Sequence, residues 1–360
     1  MKNHYKKEEN LNNRYLGSLI GGACGDALGY AVEFNSLTAI QRRYPGRGIT
    51  EYELDQRGLA PVSDDTQMSL FSLEGMHRAT QGGAFSPDDF VPFLTESYLD
   101  WYATQTEPFH HIPGSRLSEI KGLWEQRAPG NTCMSALREL KKVDRAEVRN
   151  NSKGCGGVMR VAPIAIYSHA LLHLTAKETA ILAGLAAEIT HKHPLSTCAS
   201  AALTLLIYSI FNFDRDIENI NREWLRNLIR LVMYEIRDCS YGAAATDTLE
   251  NLLNRAMDLA ESDISDTAGI ALLGEGWVAE ETLAIALFSV MRYIDDFEKC
   301  IVCSVNHDGD SDSTGAVAGN IIGALLGYTK IPEKYITNLE FAPEITSIAE
   351  TILFDNYYSL

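Results

Sequence analysis

The chain reads as an all-α protein on three observations. Apolar residues recur at helical spacing in almost every periodic segment from Tyr15 onward, alternating strand-type runs are scarce, and capping residues stand where periodic segments begin. The periodic segments are 68–79, 175–189, 196–211, 224–236, 246–262, 278–294 and 314–328. Ser63 is placed to cap a helix beginning near Thr66. Ser86-Pro87-Asp88-Asp89 supplies an N-cap, a proline at the first helical position and acids in the first turn. Stretches rich in turn formers, near 42–62, 80–87 and 104–116, read as surface loops. None is long or biased enough for a domain linker, and no repeat of 20 to 50 residues is present. Residues 1–14 are polar and charged, which predicts a flexible N-terminal extension ahead of a single all-α domain over 15–360.

Composition narrows the function classes. At 360 residues the chain can bury a full core. Its net charge of −17 argues against nucleic acid or an anionic membrane as the main partner, because both demand a basic face. Apolar stretches such as 201–210 are shorter than a bilayer span, and the lysine-bearing N-terminus lacks the apolar core of a signal peptide. A soluble, cytoplasmic protein is expected. Seven scattered cysteines favour reduced thiols over a disulfide framework. Cys300 and Cys303 form a C-x-x-C without the second pair that zinc would need, so they read as small apolar side chains.

Glycine at every fourth position marks two segments: Gly17, Gly21, Gly25 and Gly29, then Gly315, Gly319, Gly323 and Gly327. Each set makes a smooth ridge on one helix face that lets another backbone approach. Each glycine costs up to about 1 kcal/mol of helix stability, so close packing must compensate. The polar Asp26 and Asn320 exclude a membrane reading of G-x-x-x-G. Glu33 follows the first ridge and Asp310 and Asp312 precede the second. If the ridges pack antiparallel, these carboxylates meet at one end.

Three acidic and hydroxyl clusters carry the chemistry: Glu33, Ser63-Asp64-Asp65-Thr66 and Asp310-Ser311-Asp312-Ser313. Such groups suit hard-cation ligation, and clusters from opposite ends of a chain are enough for a two-metal site. Asp64 and Asp65, ionised together without a counter-charge, repel, and a divalent cation resolves the conflict. The plainer alternative is helix N-termini with acids complementing the dipole. An EF-hand is excluded: Asp308, Asp310 and Asp312 fit its first positions, but Ser313 stands where glycine is expected and Gly319 where glutamate is needed. Residues 151–160, NSKGCGGVMR, form a glycine-rich turn entering an apolar helical segment. Its small residues would bring backbone N–H groups to an anion, with Lys153 or Arg160 nearby. His191 and His193 lie in a loop, where hydrogen-bonding histidines are commoner than metal ligands. Trp277 stands at a helix start, as core or as a stacking platform.

Together and in this order, Gly21-Gly22-Ala23-Cys24-Gly25-Asp26-Ala27-Leu28-Gly29 with Glu33, then Ser63 to Met68, Lys153 to Pro163, Thr190-His191, Gly276-Trp277-Val278 and Gly309 to Gly327, resemble the ADP-ribosylglycohydrolase family. That family includes the dinitrogenase reductase-activating glycohydrolases, and the resemblance spans about residues 15 to 330. It implies an all-α domain with two Mg²⁺ ions, or Mn²⁺ in substitution, at the base of an ADP-ribose cleft. Ser63, Asp64 and Asp65 would ligate from one side and Asp310, Asp312 and Ser313 from the other. Family members often carry threonine where this chain has Ser63 and Ser313; the hydroxyl is retained. Glu33 would act as general acid or base, or orient water, with Asp65 and Asp310 also catalytic. Lys153, Gly154, Gly156, Gly157 and Met159 would line the diphosphate and ribose, His191 would face the ligand and Trp277 would stack on it. The expected function is metal-dependent removal of mono-ADP-ribose from a protein side chain, arginine rather than serine. The partners are then an ADP-ribosylated protein and ADP-ribose. The alternative is a binding protein that blocks an ADP-ribosylating toxin through residues 1–14.

Overall fold

The computed structural model describes residues 2–142, 148–172, 174–213, 220–239 and 241–354, with the side chains of 2–8 and 354 excepted. Along these residues run α1 (Lys2–Tyr30), α2 (Leu37–Arg43), α3 (Asp64–Gln81), α4 (Pro87–Thr106), α5 (Asn131–Lys142), α6 (Ala162–Leu171), α7 (Ala176–Glu188) and α8 (Pro194–Asn212). They are followed by α9 (Arg222–Arg237), α10 (Ala243–Glu261), α11 (Asp266–Ala271), α12 (Ala279–Arg292), α13 (Phe297–Val305), α14 (Ser311–Leu326), α15 (Glu333–Thr337) and α16 (Ala342–Ala349). Among the described residues no strand forms; isolated bridges pair Ala60 with Leu339 and Gly154 with Val278. The all-α expectation holds, and each periodic segment falls within or nearly within a helix.

Caps set several starts. Ser63 accepts from the Asp65 amide, so α3 begins at Asp64, two residues earlier than the sequence suggests. Ser86 and Asp89 close a reciprocal capping box on α4, as Thr175 and Glu178 do on α7. On α9 the buried residues Leu225, Leu228, Ile229, Val232, Met233 and Ile236 recur at three and four, which places one apolar stripe on the core.

The centre of the fold is the pair α1 and α14, packed antiparallel along the two glycine ridges. A Cβ added at Gly17 would lie 2.5 Å from the Gly323 carbonyl oxygen, at Gly21 2.5 Å from that of Gly319, and at Gly25 1.9 Å from that of Gly315. At Gly29 it would lie 2.2 Å from the Ser311 oxygen. Backbone therefore meets backbone, and only glycine fits. Within the seam Ser18 Oγ donates to the Asn320 carbonyl at 2.9 Å and Asn320 Nδ2 donates to the Ser18 carbonyl at 2.8 Å. That exchange accounts for the polar residues in otherwise smooth helices. Around α14 stand α8, α12 and α13, and α14 itself is buried along its whole length.

Two sequence expectations change. Residues 2–14 are helical and form the first turns of α1. Lysine, glutamate and leucine propagate a helix well, and the segment is anchored where it meets the core. Buried Arg14 donates through Nη2 to the Ile210 carbonyl at 2.6 Å and through Nε to that of Ala324 at 2.9 Å, while Asn13 Oδ1 accepts from the Thr329 amide at 3.0 Å. The second change concerns α8, which is long and apolar enough by length and composition to cross a bilayer. Its faces are instead covered by α6, α7, α9, α10 and α12.

Candidate active site

The α1–α14 register decides where the acids go. Glu33 lies in the turn after α1 and Asp310 caps α14, its side chain accepting from the Ser313 amide at 3.2 Å. Both reach one cavity of about 290 Å³ together with Asp64, Asp65, Asp312 and Ser313. Gly154, Gly156, Met159, His191 and Trp277 line the same cavity. A larger cavity of about 570 Å³, lined by Arg47, Asp266, Lys299 and Asn306 among others, contains none of the predicted site residues. Chemistry, not size, marks the site.

Asp64 and Asp65 are fixed from behind. Buried Asp26 on α1 accepts from the Ser63 amide at 2.9 Å and from the Thr66 amide at 3.0 Å, so α1 supplies a second cap to α3. From the opposite side the Asp64 amide donates to the Arg127 carbonyl at 3.0 Å, and the Gly130 amide donates to Asp64 Oδ2 at 3.2 Å. Ala128 between them has φ of 52°, a left-handed conformation unusual for alanine, and it lines the cavity.

The electrostatics express one conflict. Burial, then Asp312, Asp310 and Asp64, push the Glu33 carboxyl up to about 10. Burial and Asp312 raise Asp26 to about 7, and burial followed by Asp312 raises Asp64, Asp65 and Asp310 well above the ordinary carboxylate range. Glu33 Oε2 and Asp65 Oδ1 are buried without a hydrogen-bond partner. Among the described residues no group of three or more His, Cys, Asp or Glu side chains is arranged to hold a metal ion. The donors are instead carboxylates distributed around the cavity, with the Ser313 hydroxyl beside them. That set fits Mg²⁺, which keeps several waters and takes only one or two carboxylates per ion.

The glycine loop forms the opposite wall. The Cys155 amide donates to the Trp277 carbonyl at 3.2 Å and the Ala279 amide to the Lys153 carbonyl at 2.8 Å, strapping the loop to the start of α12. A Cβ at Gly156 would lie 2.8 Å from Cys133 Sγ and 2.9 Å from His191 Cε1, so that position admits no side chain. His191 is buried, and burial followed by Arg160 lowers its imidazole to about 3, which keeps it neutral. Its Nδ1 hydrogen-bonds Thr190 Oγ1 at 2.8 Å, and that hydroxyl accepts from Arg160 Nη2 at 2.7 Å.

Three predicted site residues stand outside the cavity lining. Ser63 is fully buried with its hydroxyl turned to the Asp65 amide, because it caps α3. Lys153 pairs with buried Glu280, since the bridge to Val278 aims it at α12. Gly157 faces Ser196, whose Oγ would be 2.4 Å from an added Cβ. Arg160, considered as an anion contact, is buried beneath Tyr98 with its guanidinium carbon 4.3 Å from the ring centroid.

The sequence reading missed Phe34, Cys133, Cys155 and the turn Ala128 to Thr132, all lining the cavity, and Asp26 behind it. Cys155 Sγ donates to Asp310 Oδ2 at 2.8 Å. Two signals were available: Ala128-Pro129-Gly130 is a turn sequence, and Asp26 is a charge inside a glycine ridge, where a buried carboxylate needs partners.

Residues 7–359 match the ADP-ribosylglycohydrolase family. The chain is 26% identical over 349 residues to the ADP-ribosyl-[dinitrogen reductase] glycohydrolase of Rhodospirillum rubrum, covering 93% of this chain and 92% of that protein. It is 22% identical to ADP-ribosylhydrolase ARH3 of Bos taurus, over 94% of this chain and 92% of that one. It is also 22% identical to the ADP-ribosylarginine hydrolase Tri1 of Serratia proteamaculans, over 94% and 78% respectively. A solved ADP-ribosylglycohydrolase-related protein complex shares the fold, with a TM-score of 0.65 at 24% identity over 96% of this chain and 98% of that chain.

Proposed function

The chain belongs to the ADP-ribosylglycohydrolase family, and from that premise we propose that it is a Mg²⁺-dependent hydrolase removing mono-ADP-ribose from a protein side chain, arginine in preference to serine. Hydrolysis of ADP-ribosylated substrates is the family's activity. The observation that carries the metal requirement is the pair of buried, unpartnered carboxylate oxygens, Glu33 Oε2 and Asp65 Oδ1, in a cavity shared with Asp64, Asp310 and Asp312. Buried acids without counter-charge are costly, and divalent cations are the simplest compensation. The arginine preference draws on one relative whose name specifies ADP-ribosylarginine.

Asp64, Asp65, Asp310, Asp312 and Ser313 would hold the ions. When bound, Mg²⁺ would supply charge stabilisation and fix the ribose hydroxyls. Gly154 and Gly156 leave a side-chain-free wall for the diphosphate. Neutral His191, oriented by Thr190 and Arg160, offers a ring nitrogen to the ligand without repelling or attracting charge. The Cys155 thiol and the Ser313 amide divide the two oxygens of Asp310 and hold the carboxylate in one orientation. Glu33 is the proton carrier at Oε2, as acid toward the leaving side-chain atom or base toward the attacking water.

The toxin-blocking alternative would act through the first turns of α1, of which Arg14 is already buried. A cytoplasmic location is part of the proposal, and seven unbridged cysteines support it. The test is release of ADP-ribose from arginine-linked and serine-linked ADP-ribosylated proteins, with EDTA and with Mg²⁺ or Mn²⁺ restored. Release from the arginine-linked protein, stopped by EDTA, is expected. Metal-independent release, or none from either substrate, would sink the proposal.

A further inference from the structure

Outside the cavity lining, one buried carboxylate ties together the two chain segments that hold Asp64. Glu340 is 1% exposed and lies between α15 and α16. Its Oε2 accepts from the Val62 amide at 3.2 Å, and its Oε1 accepts from Arg127 Nη2 at 3.1 Å and from Arg57 Nη2 at 2.5 Å. The backbone is fixed in the same place: the Glu340 amide donates to the Ala60 carbonyl at 3.0 Å and the Ala60 amide to the Asn338 carbonyl at 2.7 Å. Val62 precedes Ser63, the cap of α3, and Arg127 presents the carbonyl that accepts from the Asp64 amide at 3.0 Å. After Arg127 come left-handed Ala128 and then Gly130, whose amide donates to Asp64 Oδ2.

We propose that Glu340 is a positioning residue for the acidic site: it sets the spacing between residues 62–65 and the 127–130 turn, and so aims the Asp64 carboxylate into the cavity. The inference rests on the metal-dependent hydrolase reading above and adds to it a residue that touches neither ion nor substrate. Its two oxygens face different segments, and hydrogen bonds to a charged group are strong and directional, so one planar group fixes both segments at once. Arg127 has little else to hold it. Its Nε is buried without a partner, and its other acid, Glu125, is 55% exposed, where water screens the pair. A left-handed alanine persists only where its surroundings over-determine it, and the adjoining Arg127–Glu340 pair is one of those constraints. Arg57, with its side chain 44% exposed and a second partner in Asp55, contributes charge rather than placement.

The experiment compares wild type with Glu340→Gln, Arg127→Met and Arg57→Met, and reads Mg²⁺ affinity by calorimetry and amide hydrogen exchange in EDTA. Glu340→Gln keeps the shape and removes the charge. It should weaken Mg²⁺ binding about ten- to 100-fold, with kcat largely restored at saturating Mg²⁺. Exchange at residues 62–65 and 127–130 should speed up by about tenfold or more, while α9, which packs on α8 and α10, keeps its wild-type exchange. Arg127→Met should reproduce the Mg²⁺ loss and the faster exchange at 127–130, and Arg57→Met should move Mg²⁺ affinity less than about threefold. A merely structural role would raise exchange throughout the molecule and leave the Mg²⁺ affinity of the folded protein as it was. That outcome, or wild-type exchange at both segments, overturns the proposal. Should Glu340→Gln not fold, Arg127→Met decides the question by the same two readouts. If wild type binds no Mg²⁺ the metal reading fails, and the exchange arm decides the role of Glu340 separately.

Discussion

At one end of the α1–α14 pair side-chain hydrogen bonds fasten the seam to its surroundings. Arg14 donates to the Ile210 and Ala324 carbonyls, and Asn13 accepts from the Thr329 amide beside Gly327. At the other end the same two helices deliver Glu33, Asp310 and Asp312 to a cavity where Glu33 Oε2 and Asp65 Oδ1 have no hydrogen-bond partner. The satisfied end fastens the seam, and the unsatisfied end stores electrostatic conflict that a bound cation and substrate would relieve. The tight glycine packing between them keeps that conflict from being relaxed by drift of the helices.

The comparison breaks first in the middle. Gly25→Val places a Cβ 1.9 Å from the Gly315 oxygen, a backbone clash that cannot be repacked. A loss of at least about 3 kcal/mol is expected in urea unfolding, with activity falling in step because both ends lose register. Wild-type stability in this variant would show that the seam does not need its glycines.

The acidic end should behave oppositely for activity and stability. Asp312 is the first charged group to raise Glu33, Asp64, Asp65 and Asp310, so Asp312→Asn should stabilise the ion-free protein by about 1–2 kcal/mol. Hydrolysis should fall by more than about 100-fold, beyond the cost of losing an outer-shell partner of a metal ligand. Calorimetry with Mg²⁺ would register the weaker binding directly. A destabilised Asp312→Asn protein would contradict the stored conflict.

The pH response follows from the same groups. Glu33 and Asp26 have folded values raised to about 10 and about 7. The folded state therefore holds more protons than the unfolded one, and stability is greatest below the unfolded carboxyl range. In EDTA the melting temperature should fall by a few degrees as pH rises from about 5 to 8, and Mg²⁺ should flatten the slope. A melting temperature that rises over this interval in EDTA would refute the burial of uncompensated acids. The smallest effect belongs to the satisfied end. Asn13→Ala should cost about 1 kcal/mol in unfolding and leave kcat and KM unchanged.

Much of this was legible in the chain. Helix positions followed from apolar spacing, and the antiparallel seam followed from glycine at every fourth residue, which also placed Glu33 with Asp310 and Asp312. What escaped were residues whose role depends on a neighbour distant in sequence. Asp26 looked like an oddity in a ridge until it met the Ser63 and Thr66 amides. Lys153 looked like an anion contact until Glu280 captured it, and Phe34 carried no periodic signal at all.

The sequence by itself determined the helices, the seam and the acids that meet, because periodicity, glycine size and residue type are local properties of the chain. Only the tertiary structure decided which hydroxyls face the cavity, which cations are already paired and which aromatics stay exposed. Those outcomes depend on directions and distances between side chains brought together from helices far apart in sequence, and no spacing along the chain encodes them.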